Sequence, residues 1–273
     1  MIDLRILLMG SAAAEGWPGL WCNCDVCQRA HAVGGKSIRS RSGALIDDTL
    51  KVDLCPDTYM QARRDGLDLS RVTDILITHA HNDHLAVNEL AYNTPPYAHD
   101  NPPVHVWGGE RVIEKVKSAT SRWPDQENRL HVLKPFQPVY LRDGTYVMPL
   151  EASHAADSSP LNFIIRRGDK TLLYGLDSGW YPEASWQAHA GHFFNVVIID
   201  CTMGNLLRSS GHGTFSEAVQ IKERMLAEGT ADSSTIFVAN HFSHNIKLLH
   251  HEIEEWFAGT GFIVGYDGLV LEV

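Results

Sequence analysis

Cysteine is scarce in this chain of 273 residues: Cys22, Cys24 and Cys27 lie together, and Cys55 and Cys201 stand alone in apolar stretches. So few and so bunched, they exclude a disulfide scaffold. No apolar run approaches the roughly 20 residues that a membrane helix requires. Asp3 and Arg5 break up the first apolar stretch, which predicts no signal peptide, no membrane association and a cytoplasmic location. Positive charge is short as well: 23 Lys and Arg against 33 Asp and Glu leave a formal charge of −10, which argues against a long nucleic acid as partner. Low-complexity sequence, short repeats and linker-like stretches are missing too, so residues 1–273 read as one domain. With 44% hydrophobic and 21% charged residues, a disordered chain is excluded. Histidine, by contrast, is plentiful, with 15 residues against 9 Phe and 8 Tyr.

Aliphatic segments predict strands at Leu4 to Met9, Asp74 to Thr78, Val104 to Trp107, Leu130 to Leu133, Thr145 to Leu150, Val196 to Ile199 and Thr235 to Ala239. Hairpins are expected at Ala44 to Leu54, turning on Asp47-Asp48, and at Asn162 to Tyr174, turning on Gly168-Asp169. Helices are expected over Asp57 to Arg64, Glu110 to Ala119 and Pro182 to Ala190. Another should open on the capping box Thr214-Phe215-Ser216-Glu217 and end at Gly229. Hairpins mixed with helix–strand alternation in both halves predict an α/β fold of two mixed sheets faced by helices.

The densest chemistry is Thr78-His79-Ala80-His81-Asn82-Asp83-His84, directly after a buried strand. His79 and His81 project to one side of an extended strand end, and a chain reversal brings Asp83 and His84 to the same cavity. Imidazole and carboxylate at this density suit two neighbouring divalent metals. Two ions roughly 3.5–4 Å apart can deprotonate a bridging water and neutralise charge on a phosphoryl oxygen.

This pattern resembles the metallo-β-lactamase-fold hydrolases, whose signature is His-x-His-x-Asp-His, and that resemblance implies a four-layer αββα sandwich. The remaining family positions follow in order: Asp53 at the end of an early strand, His154 after a later one, Asp177 in Leu176-Asp177-Ser178-Gly179, and His241 in Asn240-His241. The resemblance implies one metal on His79, His81 and His154, a second on Asp83, His84 and His241, and Asp177 between them. Asp53 would orient ligands from behind. The redox branch of the fold carries an acidic residue where this chain has His81, so hydrolysis is expected.

Cys22, Cys24 and Cys27 offer three thiolates, one short of a closed zinc site. The spacing Cys-x-Cys-x-x-Cys, with His244 three residues after His241, resembles the PhnP subgroup, phosphoribosyl cyclic phosphodiesterases of the carbon–phosphorus lyase pathway. That resemblance implies a structural zinc on Cys22, Cys24, Cys27 and His244 in a loop at about 17–31. It also implies His212, in Gly211-His212-Gly213, as general acid, and a homodimer. Asp53, Asp83 and His212 would then form the catalytic set, acting on a small cyclic phosphodiester such as a phosphoribosyl cyclic phosphate. The catalytic metals could be zinc, manganese, iron or nickel. Cys55 and Asn240 depart from the family pattern. Residues 88–123 and 180–192 are expected to line the cleft, which directs attention to His189 and His192.

Two other readings stand beside this one. The pyrroloquinoline quinone biosynthesis protein B subgroup shares the cysteine loop, and an aromatic pocket from Trp107, Trp180, Tyr181 and Trp186 would suit its quinone precursors. The third is a metal-dependent binding protein without turnover.

Overall fold

Aliphatic runs form the strands and the polar, periodic segments between them form the helices. The computed structural model describes residues 4–206 and 211–273. In chain order the first half contains β1 (Arg5–Gly10), α1 (Asp25–Val33), β2 (Gly43–Ile46), β3 (Leu50–Val52), α2 (Thr58–Asp65), β4 (Asp74–Leu76), α3 (Val87–Leu90), β5 (His105–Gly108), α4 (Glu110–Ala119) and β6 (Leu130–Val132). The second contains β7 (Val139–Tyr140), β8 (Tyr146–Glu151), β9 (Leu161–Arg167), β10 (Lys170–Gly175), α5 (Glu183–His189), β11 (Val196–Asp200), α6 (Phe215–Ala227), β12 (Ile236–Asn240), α7 (His250–Phe257), β13 (Phe262–Val264) and β14 (Leu269–Glu272).

Two seven-stranded sheets result, ordered β14-β1-β2-β3-β4-β5-β6 and β13-β12-β11-β10-β9-β8-β7. Read from β14, the first sheet makes three antiparallel pairings and then three parallel ones. Read from β7, the second repeats that sequence. Alternation along each strand sorts the side chains by face. Ile6 and Leu8 of β1 enter the core between the sheets, with Phe163, Leu172 and Ile198. Leu7 and Met9 enter the core beneath Val112, Ile113 and Val116 of α4. On the far side, Val197 and Phe237 pack with residues of α5, α6 and α7, including Trp186, Ile221 and Phe257. The architecture is the expected αββα sandwich.

Three expectations need correction. The stretch at about 17–31 is partly helical: Cys24 is the N-cap of α1, which places Cys27 inside the first turn. Residues 180–192 do not line a cleft as a group, because α5 covers the second sheet and buries Trp186 and His189 in its core. Residues 88–123 supply β5 to the first sheet and α4 to its outer face, with Leu90, Val112 and Val116 buried. Among the described residues no helix is long and apolar enough to cross a membrane.

Candidate metal centre

Parallel strands present their carboxyl ends to one edge, where ligand sites of open α/β sheets form. Asp53 follows β3, the run Thr78 to His84 follows β4, and Asp177, Asp200 and His241 stand at the ends of β10, β11 and β12. Three of these adopt left-handed backbone, Asp53 (φ 58°), Asp177 (φ 50°) and His241 (φ 64°). Asp and His tolerate that region better than branched residues, and such conformations gather at functional sites.

The structure brings two groups of donors together. In one, His79 Nε2 lies 2.9 Å from His81 Nδ1, which lies 3.2 Å from His154 Nε2. In the other, His84 Nε2 lies 3.1 Å from Asp83 Oδ2 and 3.4 Å from His241 Nε2. Asp177 stands between the groups. Its Oδ2 is 3.0 Å from His84 Nε2 and 3.1 Å from His241 Nε2, while Oδ1 is 3.9 Å from His154 Nε2. Despite those neighbours, Oδ2 is buried without a partner in hydrogen-bond geometry. A tetrahedral site with bonds of about 2.0–2.1 Å has donor–donor edges of about 3.3 Å. Both the spacings and the orphaned oxygen therefore fit divalent ions shared among these groups, and the imidazole and carboxylate donors suit zinc, manganese, iron or nickel.

Buried partners fix the rings. Asp53, fully buried, takes hydrogen bonds from Thr78 N (2.8 Å) and Thr78 Oγ1 (2.9 Å) and meets His84 Nδ1 at 2.8 Å. Thr78 Oγ1 also contacts His79 Nδ1 at 3.0 Å, Gly211 O holds His154 Nδ1 at 2.9 Å, and Thr202 Oγ1 holds His241 Nδ1 at 2.7 Å. Each contact leaves the opposite ring nitrogen for the centre. Burial drives the His79 imidazole well below its ordinary range, assisted by repulsion from His84. Burial also opposes charge on His84, but Asp177 and Asp53 outweigh it and hold that ring well above its ordinary value.

Asp200 is a site residue to which the sequence reading gave no role. It is fully buried and accepts from Asp177 N (2.9 Å), Thr202 N (2.9 Å) and Gly213 N (3.0 Å), and its Oδ2 lies 3.2 Å from His212 Nδ1. Gly213 is required there, since a Cβ would strike the Asp200 carbonyl. Burial disfavours the His212 cation, yet the hydrogen bond and charge of Asp200 prevail and raise its pKa to about 9. Its signals in the sequence were an acid closing an aliphatic strand and, with Cys201, a likeness to an Asp-Cys-Ser pattern of the PhnP subgroup.

Of these groups, His81, Asp83, His154, Asp177, His212 and His241 line a cavity of about 500 Å³, whose wall also includes Ala13, Ala14, Glu15, Ser243 and Asn245. None of its described lining comes from residues 88–123 or 180–192, and Trp107, Tyr181 and Trp186 are core residues. Nearby, Cys22, Cys24, Cys27 and His244 bring one donor atom each to within 4.8 Å of one another. His244 Nδ1 lies 3.7 Å from Cys22 Sγ and 3.6 Å from Cys24 Sγ, and Gly19 N donates to Cys27 Sγ at 3.4 Å. The backbone N–H of Cys27 lowers the Cys24 thiol to about 6, favouring the thiolate that binds metal.

A family model described as a beta-lactamase superfamily domain matches residues 49–231. No curated protein matches the chain. Among solved structures, a diphosphatase from the PhnP family is similar with a TM-score of 0.75 and 21% identity, over 100% of this chain and 98% of that one. The metallo-beta-lactamase fold protein YhfI from Bacillus subtilis gives 0.70 and 17%, over 100% of both chains. Zn2+-bound PqqB from Methylobacterium extorquens gives 0.68 and 16%, over 98% of this chain and 100% of that one. At these identities the likeness is one of fold, the metallo-β-lactamase αββα sandwich.

Proposed function

The chain belongs to the beta-lactamase superfamily, and on that footing we propose that it is a metal-dependent hydrolase cleaving a small cyclic phosphodiester of a sugar. The observation that carries the reading is the position of Asp177, whose two carboxylate oxygens face different groups of donors. His79, His81 and His154 would hold one ion, Asp83, His84 and His241 the other, with Asp177 shared. Such a pair supplies Lewis acidity and an activated water near neutral pH.

The chain's own residues do the rest. Asp53 and Thr78 fix the His84 and His79 rings, and Asp83 takes its place through its contact with His84. Asp200 grips His212 at Nδ1, and Nε2 of that ring, on the cavity wall, has no partner among the described residues. A protonated His212 is thereby placed to donate to the leaving alkoxide as general acid. Cys22, Cys24, Cys27 and His244 would hold a structural zinc. Because His244 lies three residues beyond His241, that zinc would tie the stretch at about 17–31 to the rim of the catalytic site. The chain then works as one domain. Trp107, Tyr181 and Trp186 lie in the core and Trp180 packs against it, and none of the four is among the described residues lining the cavity, where the quinone-precursor reading needs them.

The test is hydrolysis of ribose 1,2-cyclic phosphate, whose leaving group is an alkoxide, by metal-loaded protein, wild type against Asp83→Ala and His212→Ala. Turnover in the wild type with loss in both variants supports the reading. Equal rates in all three overturn the assignment of these residues.

A further inference from the structure

Glu15 is out of place in a cavity that receives a phosphodiester. It lines the same cavity as Asp83, Asp177 and His212, and that cavity's described lining contains no lysine or arginine. A carboxylate there repels the substrate's anion unless it serves another part of the molecule. Arg41, a neighbouring cation, is engaged at Nη1 by Asp57 Oδ1 at 2.9 Å and at Nε by Ala14 O at 2.7 Å, and His244 Nε2 lies 3.7 Å from Glu15 Oε1, the oxygen that Ser243 already occupies.

A short chain of hydrogen bonds fixes what this wall presents. Ser243 Oγ donates its single proton to Glu15 Oε1 at 2.6 Å. It can therefore only accept from Asn245, whose Nδ2 lies 2.9 Å away. The Asn245 amide is thus oriented with its NH2 towards Ser243 and its oxygen free to accept. The wall is also held rigidly: Ala13 N bonds to Phe242 O at 3.0 Å and Phe242 N to Ser11 O at 2.9 Å, stitching the first loop to the segment after His241. Two acceptors, the second Glu15 oxygen and Asn245 Oδ1, have no partner among the described residues.

We propose that the Glu15–Asn245 wall binds hydroxyl groups of the substrate's sugar, so that the preferred phosphodiester carries free hydroxyls and no second phosphate where it meets Glu15. Resting on the phosphodiesterase reading, this narrows the phosphoribosyl expectation to the unphosphorylated sugar. A hydroxyl donates to a carboxylate, whereas a phosphate oxygen offers only further lone pairs and charge.

The experiment compares ribose 1,2-cyclic phosphate with its 5-phosphorylated counterpart, using metal-loaded wild type, Glu15→Gln and Asn245→Ala. Wild type should favour the free hydroxyl by at least about tenfold in kcat/KM. Glu15→Gln should erase most of that preference through KM, and Asn245→Ala should weaken it. Calorimetric binding of the two phosphomonoester products should follow the same order in the same proteins. A wild-type preference for the 5-phosphorylated compound, or a preference unchanged in Glu15→Gln, overturns the proposal. Absence of turnover with every diester refutes the phosphodiesterase reading instead, and product affinities then decide on Glu15: discrimination lost in Glu15→Gln upholds the wall, and unchanged affinities overturn it.

Discussion

Asp53 and Asp177 occupy the same position in the two halves of the molecule: each follows the fourth strand of its sheet's repeated pairing sequence, and each has left-handed backbone, φ 58° and 50°. One pattern has yielded two jobs. Asp53 meets the back of His84 at Nδ1 (2.8 Å), whereas Asp177 meets the front of the same ring at Nε2 (3.0 Å).

Removing Asp53 should therefore free the ring without removing a donor. Asp53→Ala is expected to lower metal affinity at the His84 site by about 10–100-fold while leaving the number of sites unchanged. Chelator competition measures this, and an unchanged affinity would show that His84 needs no support from behind.

Cys24→Ser should act on a different ion. Metal analysis of the wild type is expected to find about three ions per chain, one resisting mild chelation, and the variant should lose that one. A wild type with about two ions and an unligated Cys24 removes the structural zinc.

His212 sets a pH dependence. A general acid works while protonated, so activity persists below its pKa and declines as pH rises through it. With Asp200 raising that pKa to about 9 and bound cations pulling it down, the alkaline limb belongs at or below about pH 9. His212→Ala should lower kcat by about 10²–10⁴-fold and abolish that limb. A pH–rate profile settles both points.

His189 governs stability instead. It is buried beside Tyr181, Trp186 and Phe194, neither nitrogen has a partner, and burial pushes its pKa down to about 3. The unfolded chain takes up its proton near 6.5, so stability is full above that pH and falls as pH drops from about 6.5 towards 3, by at most about 1.4 kcal/mol per unit. Denaturant melts at stepped pH should show His189→Leu losing less than wild type over that interval. Parallel losses would assign the acid lability elsewhere.

Much of this architecture was legible in the sequence, because buried strands must be aliphatic and hairpins mixed with helix–strand alternation indicate two mixed sheets. The donors after β4 were legible too, since no packing demand produces His79, His81, Asp83 and His84 together. Other features depend on tertiary approach and leave weak traces. Asp200 matters through groups it meets at positions 177, 202, 212 and 213, and Glu15 through Ser243, 228 residues away. His189 looked like a cleft residue for want of any sign that α5 turns it into the core. The surplus histidines now have plainer uses: His105 Nδ1 bonds His131 Nε2 at 2.9 Å, and His250 lies between Arg39 Nη2 (2.8 Å) and Glu254 Oε1 (3.0 Å).

The decisive measurement is the initial rate on ribose 1,2-cyclic phosphate, followed while catalytic metal is titrated into protein of known metal content. The account predicts that cleavage appears as both catalytic sites fill and is lost in Asp177→Asn. A chain with its full metal complement that cleaves no phosphodiester would contradict it.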